Sequence, residues 1–157
     1  IAGYMHDIGN SINRNDHAHS GAIMAYQILK ERKMLLADAI IVATAIGQHD
    51  EATGTAVDAV SAALILADKT DVRRNRVRNQ VIANFDSHDR VNYAALESHL
   101  QIKKEKKVIQ MELEMDDTMC TVMDYFEIFL QRMLMCKRAA EVLGCRFKFL
   151  VNGNKLC

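Results

Sequence analysis

"VIQMELEM", residues 108–115, is the stretch on which the fold class turns. Ile109, Met111, Leu113 and Met115 alternate with Gln110, Glu112 and Glu114. That period of two predicts a half-exposed strand. The charge run "KKEKK" (103–107) before it reads as a solvated turn. After it, Asp116 or Asp117 can cap a long helix that reaches about Leu143, where Gly144 supplies the stop. "RFKFLVN" (146–152) alternates again, with Phe147, Phe149 and Val151 on one face, and "NGN" is a turn signal. The end of the chain thus reads as a strand–helix–strand unit.

Farther upstream the period is helical. Asp16 to Lys33 reads as a helix with Gly21, Ala22, Ala25, Ile28 and Leu29 on one face and Asn15 or Asp16 at its cap. "LLADAIIVATAIGQ" (35–48) predicts a second helix, expected to be buried on most sides. "DEATGTA" (50–56) is a loop. A third helix is expected from about Ala56 to Arg73, with Ala59, Ala63, Leu66 and Ala67 on its packing side. Between 77 and 107 the pattern weakens, although "VNYAALESHL" (91–100) is compatible with a helix. The expected class is mainly α: a helical domain over 1–104 and a small α+β appendage over 105–157.

Composition bounds the function. The 157 residues are 50% hydrophobic and 25% charged, an ordinary globular balance. Twenty basic residues offset twenty acidic ones, which argues against a generally basic nucleic-acid surface and leaves RNA binding without support from charge. No apolar run approaches the ~20 residues of a membrane span. Cys120, Cys136, Cys145 and Cys157 form no C-x-x-C pair, which suits reduced thiols and a cytoplasmic location. The absence of proline favours long helices. Ile1 is not an ordinary translation start, so an N-terminal stretch is expected to be missing.

The chemistry-bearing residues, in order, are His6, Asp7, His17 or His19, His49, Asp50 and Asp68. Carboxylates and neutral imidazoles suit one or two divalent ions, with Mn, Fe, Mg, Zn and Ni all compatible. An adjacent His-Asp pair leaves one backbone point and can reach two metals. A pair of ions sharing an aspartate can polarise a phosphate and activate water. Arg73, Arg74, Arg76 and Arg78 follow Asp68 closely. Their guanidinium forks match phosphate oxygens, and a solvent-exposed helix end accounts for them equally well. Lys69 and Asp71 are candidates to orient a metal site from behind its ligands.

Residues 1 to about 78 resemble the HD-domain metal-dependent phosphohydrolases, an all-helical family. "HDIG" (6–9) is similar to the family's central motif. "HAHSGA" (17–22) resembles its histidine followed four residues later by glycine, here His17 and Gly21. "AIGQHDE" (45–51) resembles a segment that often carries two successive histidines, and "AALILADKTDVRRNR" (62–76) resembles the closing motif. The resemblance implies an HD-type helical bundle with His6, Asp7 and Asp68 as catalytic residues and ligands of a first metal. It implies a bridging role for Asp7, with His17 and His49 as second-site ligands. Asp50 stands where the family has its second histidine, as a further candidate ligand, and the glycine spacing favours His17 over His19. The family's first histidine lies on an earlier helix, absent before Ile1, which implies weak metal occupancy for these residues alone.

The implied function is hydrolysis of a phosphomonoester, nucleotide or phosphodiester by metal-activated water, with Lys69, Arg73, Arg74 and Arg76 as substrate-binding candidates. "TAIGQHD" and "ALILADK" resemble segments of the HD half of ribonuclease Y, whereas Gly54-Thr55-Ala56 departs from the Gly-Tyr-Pro block of the cyclic-dinucleotide type. The alternative is a catalytically degenerate HD domain acting as a sensor or scaffold. In "VMDYFEIFLQRMLMCKRAAEVLG" (122–144) apolar residues go most of the way round the helix. Such a helix packs on the body, on another subunit, or both, which allows a homodimer through the C-terminal region.

Overall fold

The computed structural model describes residues 1–77 and 84–156. Arg78 and Cys157 lie outside the described residues. Among those residues the chain is mainly helical with one four-stranded sheet. It divides into two compact units, Ile1–Asp68 and Lys69–Cys157.

The first unit contains α1 (Ala2–Met5), a 3-10 turn (Ile8–Ser11), α2 (His17–Glu31), α3 (Leu36–Gly47) and nearly all of α4 (Ala59–Lys69). Its core sets three alanines, Ala2, Ala25 and Ala45, around Ile46 and Leu64, with Met5, Ala22 and Val42 packed against them. Small residues let helices approach closely, and the glycines take this further. A Cβ on Gly9 would stand 2.0 Å from the carbonyl oxygen of His17, and one on Gly21 would stand 3.2 Å from the amide nitrogen of Gly9. The turn after His6-Asp7 is therefore pressed backbone to backbone against α2.

The helix ends follow local chemistry. After α2, the Lys33 N–H bonds to the Lys30 carbonyl and the Met34 N–H to the Leu29 carbonyl, with Lys33 at φ 61°. This is the left-handed stop that glycine usually fills. Before α4, the Asp58 carboxylate accepts from the Ser61 N–H while the Ser61 hydroxyl accepts from the Asp58 N–H. That reciprocal cap starts the helix at Ala59, three residues later than expected. Its packing side is only partly the expected one: Leu66 is buried as expected, together with Ala62 and Ile65, whereas Ala59, Ala63 and Ala67 are exposed. Helix α3 is not buried on most sides, because Leu35, Leu36, Ile40 and Ile41 face solvent and only Ala39, Ala45 and Ile46 are buried.

The second unit holds α5 (Ser87–Ala94), β1 (Ala95–Lys103), β2 (Val108–Met115), α6 (Val122–Val142), β3 (Arg146–Val151) and β4 (Asn154–Lys155). The strand order is β1-β2-β3-β4. β2 and β3 pair in parallel, which a strand–helix–strand crossover through α6 permits; β1 with β2 and β3 with β4 are antiparallel. The sheet thus begins before residue 104. "VNYAALESHL" splits between the two periods, its first half ending α5 and its second half opening β1. β2 is more deeply buried than a half-exposed strand, since Val108 and Gln110 are buried along with the Ile109–Met115 face.

Neither Asp116 nor Asp117 caps α6. Thr121 does, in a reciprocal box with Asp124, and the Asp116 carboxylate instead accepts from the Thr118 N–H and hydroxyl. Gly144 at φ 68° ends the helix as expected, with its N–H on the Glu141 carbonyl and the Cys145 N–H on the Ala140 carbonyl. Helix α6 packs on β3 through Tyr125 and Phe126, whose rings lie 5.6 and 6.0 Å from that of Phe149, with Phe129 and Met133 buried beside Tyr125. Its opposite side is open, with Met123 and Leu130 exposed, so the helix is buried on one side only. Asn152 and Gly153 both have positive φ and form the two-residue turn between β3 and β4. Cys120, Cys136 and Cys145 are free thiols, and no described helix is long and apolar enough to cross a membrane.

Candidate metal centre

Five side chains meet in the first unit. They come from the end of α1 (His6, Asp7), the first residue of α2 (His17), the residues just after α3 (His49) and the last turn of α4 (Asp68). They form two donor groups, His6–His49–Asp68 and Asp7–His17–His49, which share His49. Within each group one donor atom per residue lies within 4.8 Å of the others.

Backbone carbonyls set the direction of every imidazole. His6 Nδ1 lies 2.9 Å from the Gly3 carbonyl, His17 Nδ1 3.1 Å from that of Arg14, and His49 Nδ1 2.6 Å from that of Ile46. Each carbonyl belongs to the residue three positions earlier. A carbonyl oxygen only accepts, so each Nδ1 carries the proton and each Nε2 presents its lone pair. For His6 and His49 those carbonyls belong to α1 and to the last turn of α3, where the Ile46 carbonyl also accepts from the backbone N–H of His49.

The Nε2 atoms converge on the carboxylates. His6 Nε2 lies 3.5 Å from Asp68 Oδ1 and 3.6 Å from Asp7 Oδ2. Asp7 Oδ1 lies 3.4 Å from His17 Nε2 and 3.8 Å from His49 Nε2. Asp7 therefore turns one oxygen to each group. The rings of His6 and His17 stand edge-on to that of His49, with centroids 5.1 and 5.0 Å away. His49 is only 1% exposed, whereas the Asp7 side chain is half exposed, so the cluster is closed from behind and open at the Asp7 side. The Asp68 carboxylate raises the His6 imidazole above its ordinary pKa; burial opposes this, and the Gly3 carbonyl and Asp7 add to it.

One contact tests whether a cation fits. His17 Nε2 and His49 Nε2 are 3.2 Å apart. Both nitrogens are close enough to Asp7 for one ion to be reached from the two rings and that carboxylate. Three imidazoles and two carboxylates are a donor set for borderline divalent ions, each group leaving positions open beside three protein donors.

Asp50 stands apart from both groups. One of its oxygens accepts from the Ala52 N–H, and the other lies 3.9 Å from His17 Nδ1, the nitrogen turned away from the cluster. His19 is exposed and paired with Asp16 on the surface of α2. Lys69 is buried on the last turn of α4. In the second unit, Arg73 and Arg76 both pair with Asp71, while Arg74 donates to the Tyr93 carbonyl, lies over the Tyr93 ring and faces Asp116. These arginines are held in local pairs.

Sequence reading missed the carbonyls of Gly3, Arg14 and Ile46, which carry no side-chain signal beyond their offset of three from each histidine. It also missed the clamp on the loop after α3, where Gln48 Oε1 accepts from the Thr55 N–H. Gly54 fits under that loop only without a Cβ, which would stand 2.1 Å from the Gln48 carbonyl oxygen. No family model, curated protein or solved structure matches the chain.

Proposed function

We propose that the first unit is a divalent-metal-dependent phosphohydrolase centre of the HD type. The carrying observation is the set of three histidines whose Nδ1–H groups are held by carbonyls three residues back while their Nε2 atoms converge on Asp7 and Asp68. The order of these residues along the chain and the resemblance of "HDIG", "HAHSG" and "LADK" to HD motifs support the same reading.

A bound divalent cation supplies Lewis acidity, polarising a phosphoryl oxygen and lowering the pKa of water. His49 belongs to both donor groups and its single Nε2 would bind an ion in either one, while Asp7 faces the two groups with separate oxygens. Asp68 completes the group of His6. The half-exposed side of Asp7 is where a phosphate ester reaches the centre. The substrate class is a phosphomonoester, nucleotide or phosphodiester.

The test is a phosphatase screen of the protein with Mn, Zn, Mg, Fe and Ni salts, alongside its Asp68→Ala variant. Divalent-dependent turnover is expected and is abolished by the substitution. Turnover that persists unaltered in Asp68→Ala removes the site from the reaction.

A further inference from the structure

Strand β1 forms one edge of the sheet, and no backbone hydrogen bond from Leu96 to Ile102 other than those to β2 is present among the described residues. It is nine residues long and carries no proline or glycine to discourage pairing. Leu96, Leu100 and Ile102 are 45%, 37% and 63% exposed. Leu100 and Ile102 stand opposite Met111 and Ile109, so they continue the apolar face of β2 past the part that is buried. Long apolar edges are places where a second strand adds.

The charges along this edge say which strand fits. In an antiparallel pairing of β1 with a second copy centred on Leu100, Leu100 meets Leu100 and His99 meets Gln101. Ser98 then meets Ile102, and Glu97 meets Lys103 at both ends. Every ionic position faces its opposite. Within its own sheet Glu97 stands opposite Glu114, a like-charge pair that is unfavourable across strands, and its own-strand neighbour His99 lies 2.9 Å from its carboxylate. Lys103 stands opposite the neutral Val108 there and donates to the neutral Gln110 side chain. A partner's lysine beside Glu97 offsets the repulsion that the single sheet leaves.

We propose that two copies of this chain associate through β1, antiparallel and centred on Leu100, joining their sheets into one of eight strands. The pairing buries Leu100 and Ile102 of both copies and places two Glu97–Lys103 ion pairs across the two-fold axis.

Sedimentation or light scattering of the full chain reads this directly. The chain is expected at twice its monomer mass at tens of micromolar. Glu97→Lys and Lys103→Glu each shift it to monomer by opposing like charges, and the double variant carrying both restores the dimer. Circular dichroism shows whether each variant is folded, and Glu97→Lys also relieves the clash with Glu114, so its fold is retained. As a second measurement, Leu100→Cys forms a disulfide-linked dimer under mild oxidation, whereas Leu96→Cys does not. A monomeric wild type, a dimer indifferent to both single charge changes, or a double variant that stays monomeric overturns the proposal.

Discussion

At the scale of single residues, the candidate centre depends as much on glycine as on histidine. Gly9 lets the turn bearing His6 and Asp7 lie against the start of α2, where His17 begins. Gly9→Ala puts a methyl into backbone that has no room to move, and overpacking of this kind costs about 1–3 kcal/mol. The expected outcome is a lowered denaturation midpoint together with weaker metal binding; an unchanged midpoint contradicts the close approach. Asp71 provides a pH-dependent counterpart in the second unit. Burial raises its carboxyl pKa, but the bonds from Arg73 and Arg76 outweigh this and hold it below the ordinary value. The contribution of these pairs is therefore present above the ordinary aspartate pKa of about 3.9 and is lost as pH falls through the depressed one. Stability against pH of Asp71→Asn should lie below wild type near neutrality and meet it in strong acid. Because Arg73 and Arg76 are more than half exposed, the gap is at most about 1 kcal/mol.

At the scale of elements, the ends are set by caps whose chemistry is visible once the right residue is chosen. Thr121 and Asp124 satisfy each other's backbone N–H groups at the start of α6. Thr121→Ala is expected to cost about 0.5–2 kcal/mol in chemical denaturation, while the same change at Thr118 leaves α6 capped. Lys33 holds a left-handed stop that suits glycine, so Lys33→Gly should stabilise the first unit by about 0.5–1 kcal/mol. A loss of stability there contradicts the assigned turn. Strands β2 and β3, helix α6 and the Gly144 stop were legible from alternation and glycine placement. Strand β1 was not, because its exposed edge position mixes Glu97, His99 and Gln101 with Leu96, Leu100 and Ile102, and that mixture also suits a helix. The packing side of α4 was misread for a related reason. Alanine is small enough to sit on either side of a helix, so Ala59, Ala63 and Ala67 carried little information against Ala62 and Ile65, whereas Leu66 was placed correctly.

At the scale of the whole molecule, the chain separates a helical unit that carries the candidate metal-ligand side chains from an α/β unit in which β1 is an edge strand among the described residues. His6, Asp7, His17, His49 and Asp68 were legible as a set because their order along the chain resembles that of the HD motifs. Their geometry was not, since it rests on carbonyls and on glycine contacts that no side-chain pattern encodes. Asp50 shows the limit of position-by-position inference: the loop after α3 turns it behind His17. His49 is the residue that both donor groups need. Equilibrium dialysis against Zn or Mn, followed by elemental analysis, should leave at least one ion per chain in the wild type and none in a folded His49→Gln variant. Equal metal content in the two, or none in the wild type, contradicts the assignment of this cluster as a metal centre.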